Sequence, residues 1–483
     1  LSLKQALKLA FKKSEGGSIE AAKNIYLEIL EKYPGNKKAS EAIKLLSVGI
    51  SNQKKGTKQP AQDELEVIKM LIAQSNFEKL HEEVLGLQRK YPTSEVLFNI
   101  LGIAKKNLGQ VDAAIEAHKI AIKINPKFAE AYNNLGTSFK LQGNIEKAEK
   151  AYSKAYLIKP NFSEAIYNNG ILFKEKGNLS KAIELFSKAI AITPQFAAAY
   201  SNMGIALQQK GNYVEALKAF KRAVEIDDDN GNYYNNLGNS LKLLGKFDEA
   251  IKAYEQAITR VTSGKAIIYN NMGNALNEIN LLSDAIAAYL KAIEIDQDYA
   301  DAFNNMSIVL NQQGKFEEAL AACKKAVSLK PEFAEAFMHM SIILKDQGKY
   351  IEAIAACGTA LELKPDFPDF LLNMGVILKE KGESKEALEI FKKALFIEPD
   401  LAAAYNNIGN IHRENDNIDE ALKSYKKAIS IKPDYAEAYS NLGLAEQEKG
   451  NNHYATKALS KALELAPNFP AAYNNIGNVM YST

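Results

Sequence analysis

The chain carries an alanine at a step of 34 residues along most of its length, with one step of 35. A second alanine series runs in phase with the first, seven residues earlier, and neither series is interrupted over eleven consecutive segments. A fixed period of this length is typical of a solenoid, in which neighbouring supersecondary units stack and bury each other's apolar faces. The 483 residues therefore need no single closed core.

Each segment has the pattern of two amphipathic helices joined by a glycine. In residues 129–162, apolar residues recur every three or four positions in two blocks, one on each side of Gly143. Asn280 and Asp416 stand at the position of Gly143 in two other segments, and both residue types tolerate a left-handed helix end. A proline then ends the second helix in most segments. Small residues at the position of Gly136 should let the paired helices approach closely.

The order of these residues resembles the tetratricopeptide repeat family. An aromatic residue near the start of the first helix is followed by Leu-Gly or Met-Gly, then Gly, Ala, Tyr or Phe, Ala and Pro, over residues 95–481. Tyr or Phe fills the position of the family's usual Trp. The resemblance implies an all-α fold, a right-handed superhelical solenoid of tetratricopeptide helix-turn-helix repeats, with the first helices lining a concave groove.

The pattern predicts five regions along the chain. These are an N-terminal helical capping unit with a degenerate repeat (1–50), a polar linker (51–60), a degenerate repeat (61–94), eleven tetratricopeptide repeats (95–469) and the terminal first helix of an incomplete repeat (470–483).

One position of the first helix is nearly always asparagine. An amide both donates and accepts hydrogen bonds, so such a ladder could hold the backbone of an extended peptide without reading its side chains. The alternative is that these amides bond between neighbouring helices, and the sequence leaves both open. The array resembles the superhelical repeat region of O-linked N-acetylglucosamine transferases, which uses such a ladder. The residues are Asn134, Asn168, Asn202, Asn236, Asn271, Asn305, His339, Asn373, Asn407, Asn441 and Asn475.

The charges favour a neutral surface. The net charge of +2 comes from 60 basic and 58 acidic residues, which gives no overall attraction to nucleic acid. Near the end of the first helix, Lys140, Lys345 and Arg413 belong to a series in which a cation is often followed by an acid. We expect a neutral, solvated groove rather than an anion clamp.

Nothing in the sequence indicates catalysis, and we expect no enzyme activity, metal or cofactor. The five histidines are scattered and include no HExxH pair. Cys323 and Cys357 occupy the same repeat position, where an intervening helix keeps them too far apart for a disulfide. We interpret them as buried small apolar residues that replace the aromatic residues of other repeats. No stretch has the length and apolarity of a membrane span.

Three functional hypotheses follow. The first is a non-catalytic scaffold that binds a protein or peptide ligand in the asparagine-lined groove. The second is head-to-tail self-association into an oligomer or filament, through an end formed by Tyr473, Ile476 and Val479, which no following second helix covers. The third is the substrate-recognition array of a larger transferase. The compartment stays open: cytoplasmic is favoured for a scaffold, and extracellular for a filament protomer.

Overall fold

The computed structural model describes residues 2–15, 19–47 and 59–481. Within these ranges every regular element is an α-helix, and the all-α solenoid of tetratricopeptide helix pairs expected from the sequence is confirmed. Most of the predicted polar linker lies outside the described residues; only its last two, Gln59 and Pro60, lie within them.

The chain divides into two compact units, residues 1–240 and 241–483. The helices up to the one that spans this boundary are α1 (Leu3–Glu15), α2 (Ile19–Lys32), α3 (Lys37–Ser47), α4 (Gln62–Ala73), α5 (Phe77–Lys90), α6 (Glu95–Asn107), α7 (Val111–Ile124), α8 (Ala129–Leu141), α9 (Ile145–Ile158), α10 (Ser163–Glu175), α11 (Leu179–Ile192), α12 (Ala197–Gln209), α13 (Tyr213–Ile226) and α14 (Gly231–Leu243).

The second unit continues with fourteen further helices among the described residues. They are α15 (Phe247–Arg260), α16 (Lys265–Glu278), α17 (Leu282–Ile295), α18 (Ala300–Gln312), α19 (Phe316–Leu329), α20 (Ala334–Asp346), α21 (Tyr350–Leu363), α22 (Pro368–Lys381), α23 (Ser384–Ile397), α24 (Ala402–Glu414), α25 (Ile418–Ile431), α26 (Ala436–Glu448), α27 (Asn452–Leu465) and α28 (Pro470–Tyr481).

The turn inside each repeat follows from its glycine. Gly143 has a φ of +80°. With the chain turned this way, the amide of Asn144 donates to the carbonyl of Phe139 at 2.8 Å and closes α8. The side chain of Asn144 then accepts from the amide of Lys147 and caps α9. Asn280 and Asp416 have φ values of 60° and 59°, so the left-handed conformation predicted for these two positions is confirmed.

Both alanine series lie in the core. Every member from Ala114 to Ala462 has a relative exposure of 0%. A larger side chain at these positions would push the second helix away from its neighbours, since protein interiors are close-packed. The repeat that dominates the sequence therefore specifies packing.

First helices occupy the inner side of each unit. In the first unit α6, α8, α10 and α12 contact one another in succession, and in the second unit the even-numbered helices from α16 to α28 do the same. Within each unit second helices such as α9 and α17 instead pack against the first helices on either side of them. Because first helices approach each other more closely than second helices do, each unit curves with its first helices inside.

Candidate functional site

The predicted asparagine ladder lies between neighbouring first helices. Each of its residues is the sixth of its repeat's first helix, except Asn271, which is the seventh because α16 begins one residue earlier, and each is half-buried. We call this row the ladder, and the inner surface that it follows in each unit the ladder groove.

The ladder amides connect one repeat to the one before it. In four places the Nδ2 group donates to an asparagine Oδ1 at 3.0 Å, and the acceptor is always the residue just before the ladder position of the preceding repeat, which we call the fifth position although it is the sixth residue of α16. These pairs are Asn134 to Asn99, Asn168 to Asn133, Asn305 to Asn270, and Asn441 to Asn406.

Other side chains at the fifth position serve equally well as acceptors. Asn202 donates to the hydroxyl of Tyr167 at 3.0 Å. Asn236 and Asn475 donate to serine hydroxyls at 3.2 and 3.3 Å. His339 lies with its Nδ1 2.8 Å from Oδ1 of Asn304. The connection therefore needs a donor at position six and any oxygen at position five. Asn271 also interacts within the protein.

At two repeats of the second unit the ladder amide donates elsewhere, because the preceding fifth position is apolar there. Met338 precedes Asn373, whose Nδ2 donates instead to Oγ of Ser341 at 2.6 Å. Leu372 precedes Asn407, whose Nδ2 donates to the carbonyl of Ala403 in its own helix at 3.0 Å.

The carbonyl oxygen of the ladder amide is free to accept a hydrogen bond in several repeats. Among the described residues, Oδ1 of Asn134, Asn168 and Asn441 accepts no hydrogen bond from the protein. Oδ1 of Asn202 accepts from Nζ of Lys174 at 2.7 Å. The ladder thus presents carbonyl oxygens, which are hydrogen-bond acceptors only.

The residues at the fifth position connect neighbouring repeats, a role that the sequence analysis missed. Asn133 is 2% exposed and uses both ends of its amide, because its Oδ1 accepts from Asn168 while its Nδ2 donates to Glu164 at 3.3 Å. Asn406 makes the same pair of bonds, with Asn441 and Glu437. The sequence could have indicated this role, because two consecutive asparagines stand at the fifth and sixth positions. Adjacent helical residues face different directions, so both could not point into the groove.

The charged residues of the groove pair across repeats, as expected for a neutral surface. Lys140 lies 2.7 Å from Glu175 of the next first helix, and Arg413 lies 2.9 Å from Glu448. Burial lowers the pKa of the Lys174 ammonium group.

The cysteines and the most buried histidine lie in the core. Cys323 and Cys357 are buried free thiols, and burial raises the pKa of each to about 11. Burial, together with the charge of Lys106, lowers the pKa of His118 to about 3. No group of three or more metal-ligating side chains comes together within the described ranges. In the same ranges no helix combines the length and apolarity needed to cross a bilayer.

The predicted assembly end is only partly exposed. Tyr473 is 54% exposed and Ile476 is half-buried, but Val479 is fully buried against Ala455 and Leu459 of α27. The expectation that Val479 lacks cover is wrong, because the preceding second helix packs on the same side of α28.

Models of one protein family match the chain over well over half of its length. The family described as "Tetratricopeptide repeat" matches residues 129–162, 195–263, 231–298, 288–321, 344–408 and 436–469. The description "TPR repeat" matches residues 104–143, 170–211 and 409–450. No curated protein matches the chain.

Several solved structures are similar to the chain. A chain of the APC/C hetero-tetramer Cut9-Hcn1 is 14% identical, with 99% of this chain and 97% of that chain covered and a TM-score of 0.44. Yeast Tom70 is 16% identical over 82% of this chain and 96% of its own, with a TM-score of 0.45. YrrB, described as a TPR protein with an unusual peptide-binding site, is 25% identical over 39% of this chain and 97% of its own, with a TM-score of 0.30.

Proposed function

The chain belongs to the tetratricopeptide repeat family, and we propose on that basis that it is a non-catalytic protein-interaction scaffold which binds extended peptide segments in the ladder groove. The observation that carries this proposal is the row of ladder carbonyl oxygens. Oδ1 of Asn134, Asn168 and Asn441 has no donor among the described residues, while the Nδ2 atom of each is engaged with the preceding repeat. The engaged end fixes the amide, and the other end offers an acceptor.

The spacing of the ladder suits an extended backbone. Packed helices lie about 8 to 10 Å apart, and an extended chain advances about 3.3 Å per residue. A peptide running across successive first helices would therefore meet one ladder oxygen about every three residues. Such contacts use the peptide's N–H groups, so they bind a chain of many sequences and leave specificity to other positions of the groove.

A substitution at Asn407 tests peptide binding with little effect on the stability of the fold. Nδ2 of Asn407 bonds only to its own helix, and its Oδ1 accepts a long hydrogen bond of 3.5 Å from Nζ of Lys379 on the preceding first helix, so Asn407→Ala removes a ladder oxygen and breaks only this long contact between repeats. The ligand for the test is a dodecapeptide selected on the wild-type protein from a random library displayed on phage. We expect Asn407→Ala to weaken its binding by about tenfold in fluorescence anisotropy, the loss of one hydrogen bond of about 1.4 kcal/mol.

Asn407→Asp is the matched control, because it keeps a carbonyl-type acceptor at the same place. We expect it to bind the selected peptide as the wild-type protein does. Selected peptides that bind wild-type protein and Asn407→Ala equally well would show that the ladder takes no part in ligand binding.

The other two hypotheses stay predictions. Head-to-tail assembly would give a light-scattering mass that grows with concentration, and a concentration-independent monomer would exclude it. The recognition array of a larger transferase would require a catalytic domain in the full reading frame.

A further inference from the structure

A large cavity opens between α25, α26 and α27 in the second unit. Its volume is about 860 Å³, and its apolar lining includes Leu422, Tyr439, Leu442 and Ala458. None of its lining residues belongs to the ladder. The cavity is formed partly by second helices, so it is a separate surface from the ladder groove.

The same positions form a smaller and chemically different groove three repeats earlier. The groove between α19, α20 and α21 has a volume of about 390 Å³. Four of its residues differ in kind from their counterparts in the larger cavity. Leu344 corresponds to Glu446, Glu352 to Tyr454, Ala355 to Lys457, and Thr359 to Lys461.

A buried carboxylate distinguishes the larger cavity. Glu446 is 6% exposed, at a position where the three repeats from α18 to α23 have leucine. Nδ2 of Asn451 donates to its Oε2 at 2.7 Å, and Nζ of Lys426 lies 3.5 Å from its Oε1. These partners compensate the buried charge, which would otherwise be costly. The Glu446 carboxylate is thus a compensated part of the cavity wall and does not give the cavity a negative charge.

The rim of the cavity is positively charged. Four lysines line it, against the two carboxylates of Glu446 and Glu464. Lys449 and Lys461 are paired, with Asp419 and Glu464, at 2.6 Å each. Lys457 is exposed and has no acidic partner among the described residues. The smaller groove has one lysine and one glutamate in its lining, so its charges balance.

We propose that this cavity binds a short acidic segment of a partner protein that carries one aromatic side chain. The aromatic ring would lie on Leu442 between Tyr439 and Tyr454, and a carboxylate of the segment would face Lys457. Tyr454 is 62% exposed at the edge of this cavity, so its ring is accessible to a ligand. An apolar floor with a cationic rim matches this combination of ring and negative charge.

The probe for this proposal is an acetylated, fluorescein-labelled pentapeptide with a phenylalanine between two pairs of glutamates. We expect saturable binding in fluorescence anisotropy at low ionic strength. The variant Tyr454→Glu/Lys457→Ala gives the cavity the residues of the smaller groove, and we expect it to weaken binding by at least about tenfold. Circular dichroism should show an unchanged melting curve, because both replaced side chains are exposed.

Two controls make the result specific. Lys324→Ala/Glu352→Ala removes the two charged side chains that line the smaller groove and should leave binding unchanged. A second peptide with alanine in place of phenylalanine should bind at least about tenfold more weakly than the first. Equal binding of the two peptides, equal loss in both variants, or no saturable binding would overturn the proposal. None of these outcomes depends on the ladder, so Asn407→Ala should leave the pentapeptide's affinity unchanged.

Discussion

The thiol of Cys323 donates a hydrogen bond to Oγ of Ser307 across 3.0 Å, where most repeats bring an aromatic ring against a glycine. In those repeats the glycine has no space for a side chain: a Cβ on Gly409 would lie 2.5 Å from Cε1 of Tyr425. The small cysteine and the larger serine therefore replace the large ring and the glycine together. The short cysteine side chain leaves space for a serine at a contact where a ring permits only glycine.

Gly409→Ala should destabilise the second unit. Its methyl group would meet the ring of Tyr425, which is fully buried and is held by a hydrogen bond to Oδ1 of Asn410 at 2.8 Å. We expect the free energy of unfolding from urea denaturation to fall by about 1 to 3 kcal/mol. Gly358→Ala is the control, since no atom lies within 4 Å of its added methyl. It should be neutral or stabilise by up to about 1 kcal/mol, and an equal loss in both variants would exclude the clash as the cause.

Cys323→Tyr should be tolerated only together with Ser307→Gly. Alone, the tyrosine would meet the serine side chain at the contact where other repeats have a glycine, and we expect a loss of about 1 to 3 kcal/mol. The double variant recreates, at these two positions, the glycine–tyrosine contact that Gly409 and Tyr425 make in another repeat. It should therefore recover most of that loss. A double-mutant cycle on urea denaturation gives the coupling, for which we expect at least about 1 kcal/mol. Additive effects would mean that the two positions are independent.

Asn168→Ala should weaken the connection between repeats, whereas Asn407→Ala should not. The first change leaves Oδ1 of Asn133, a residue 2% exposed, without its donor. An unsatisfied buried acceptor costs about 1 to 3 kcal/mol. Asn407 donates to the carbonyl of Ala403 in its own helix, and its contact with the preceding repeat is a long one, 3.5 Å from Nζ of Lys379, so its loss should stay within about 0.5 kcal/mol. Thermal and urea denaturation of both variants would measure the difference, and equal stabilities would show that the ladder bonds add nothing to the fold.

The sequence predicted the elements that depend on backbone conformation and size. Asn280 could be identified as the end of a first helix because its residue type tolerates a positive φ. Alanine could be identified as a core residue because both of its series recur with the period of the fold. These requirements are local or repeat in every unit, so a single sequence displays them many times.

The features that the sequence did not predict depend on contacts between elements. The partner of Asn168 lies 35 residues earlier, and its role becomes visible only when the two first helices lie side by side. The joint replacement of the usual Gly and Tyr by Ser307 and Cys323 could also be recognised only from the contact between these two residues. Val479 was expected to lack cover because only the following helix was considered, while the preceding one buries it.

His118 should make the first unit sensitive to acid. It is fully buried and occupies, against Gly102, the place that Phe186 occupies against Gly170. Burial, with a contribution from the charge of Lys106, lowers its pKa from the ordinary histidine value of 6.5 to about 3. A group whose pKa is lower in the folded protein than in the unfolded chain stabilises the fold at pH values above its unfolded pKa. This stability is lost as the pH falls from about 6.5 towards 3, because the unfolded chain takes up the proton first.

His118→Phe keeps a ring at this contact without a titratable nitrogen, so its urea midpoint should fall less between pH 7 and pH 5 than that of the wild-type protein. His453→Phe, on the exposed side of α27, is the control and should retain the wild-type pH dependence. If His118→Phe loses as much stability as the wild-type protein over this range, other groups cause the acid sensitivity.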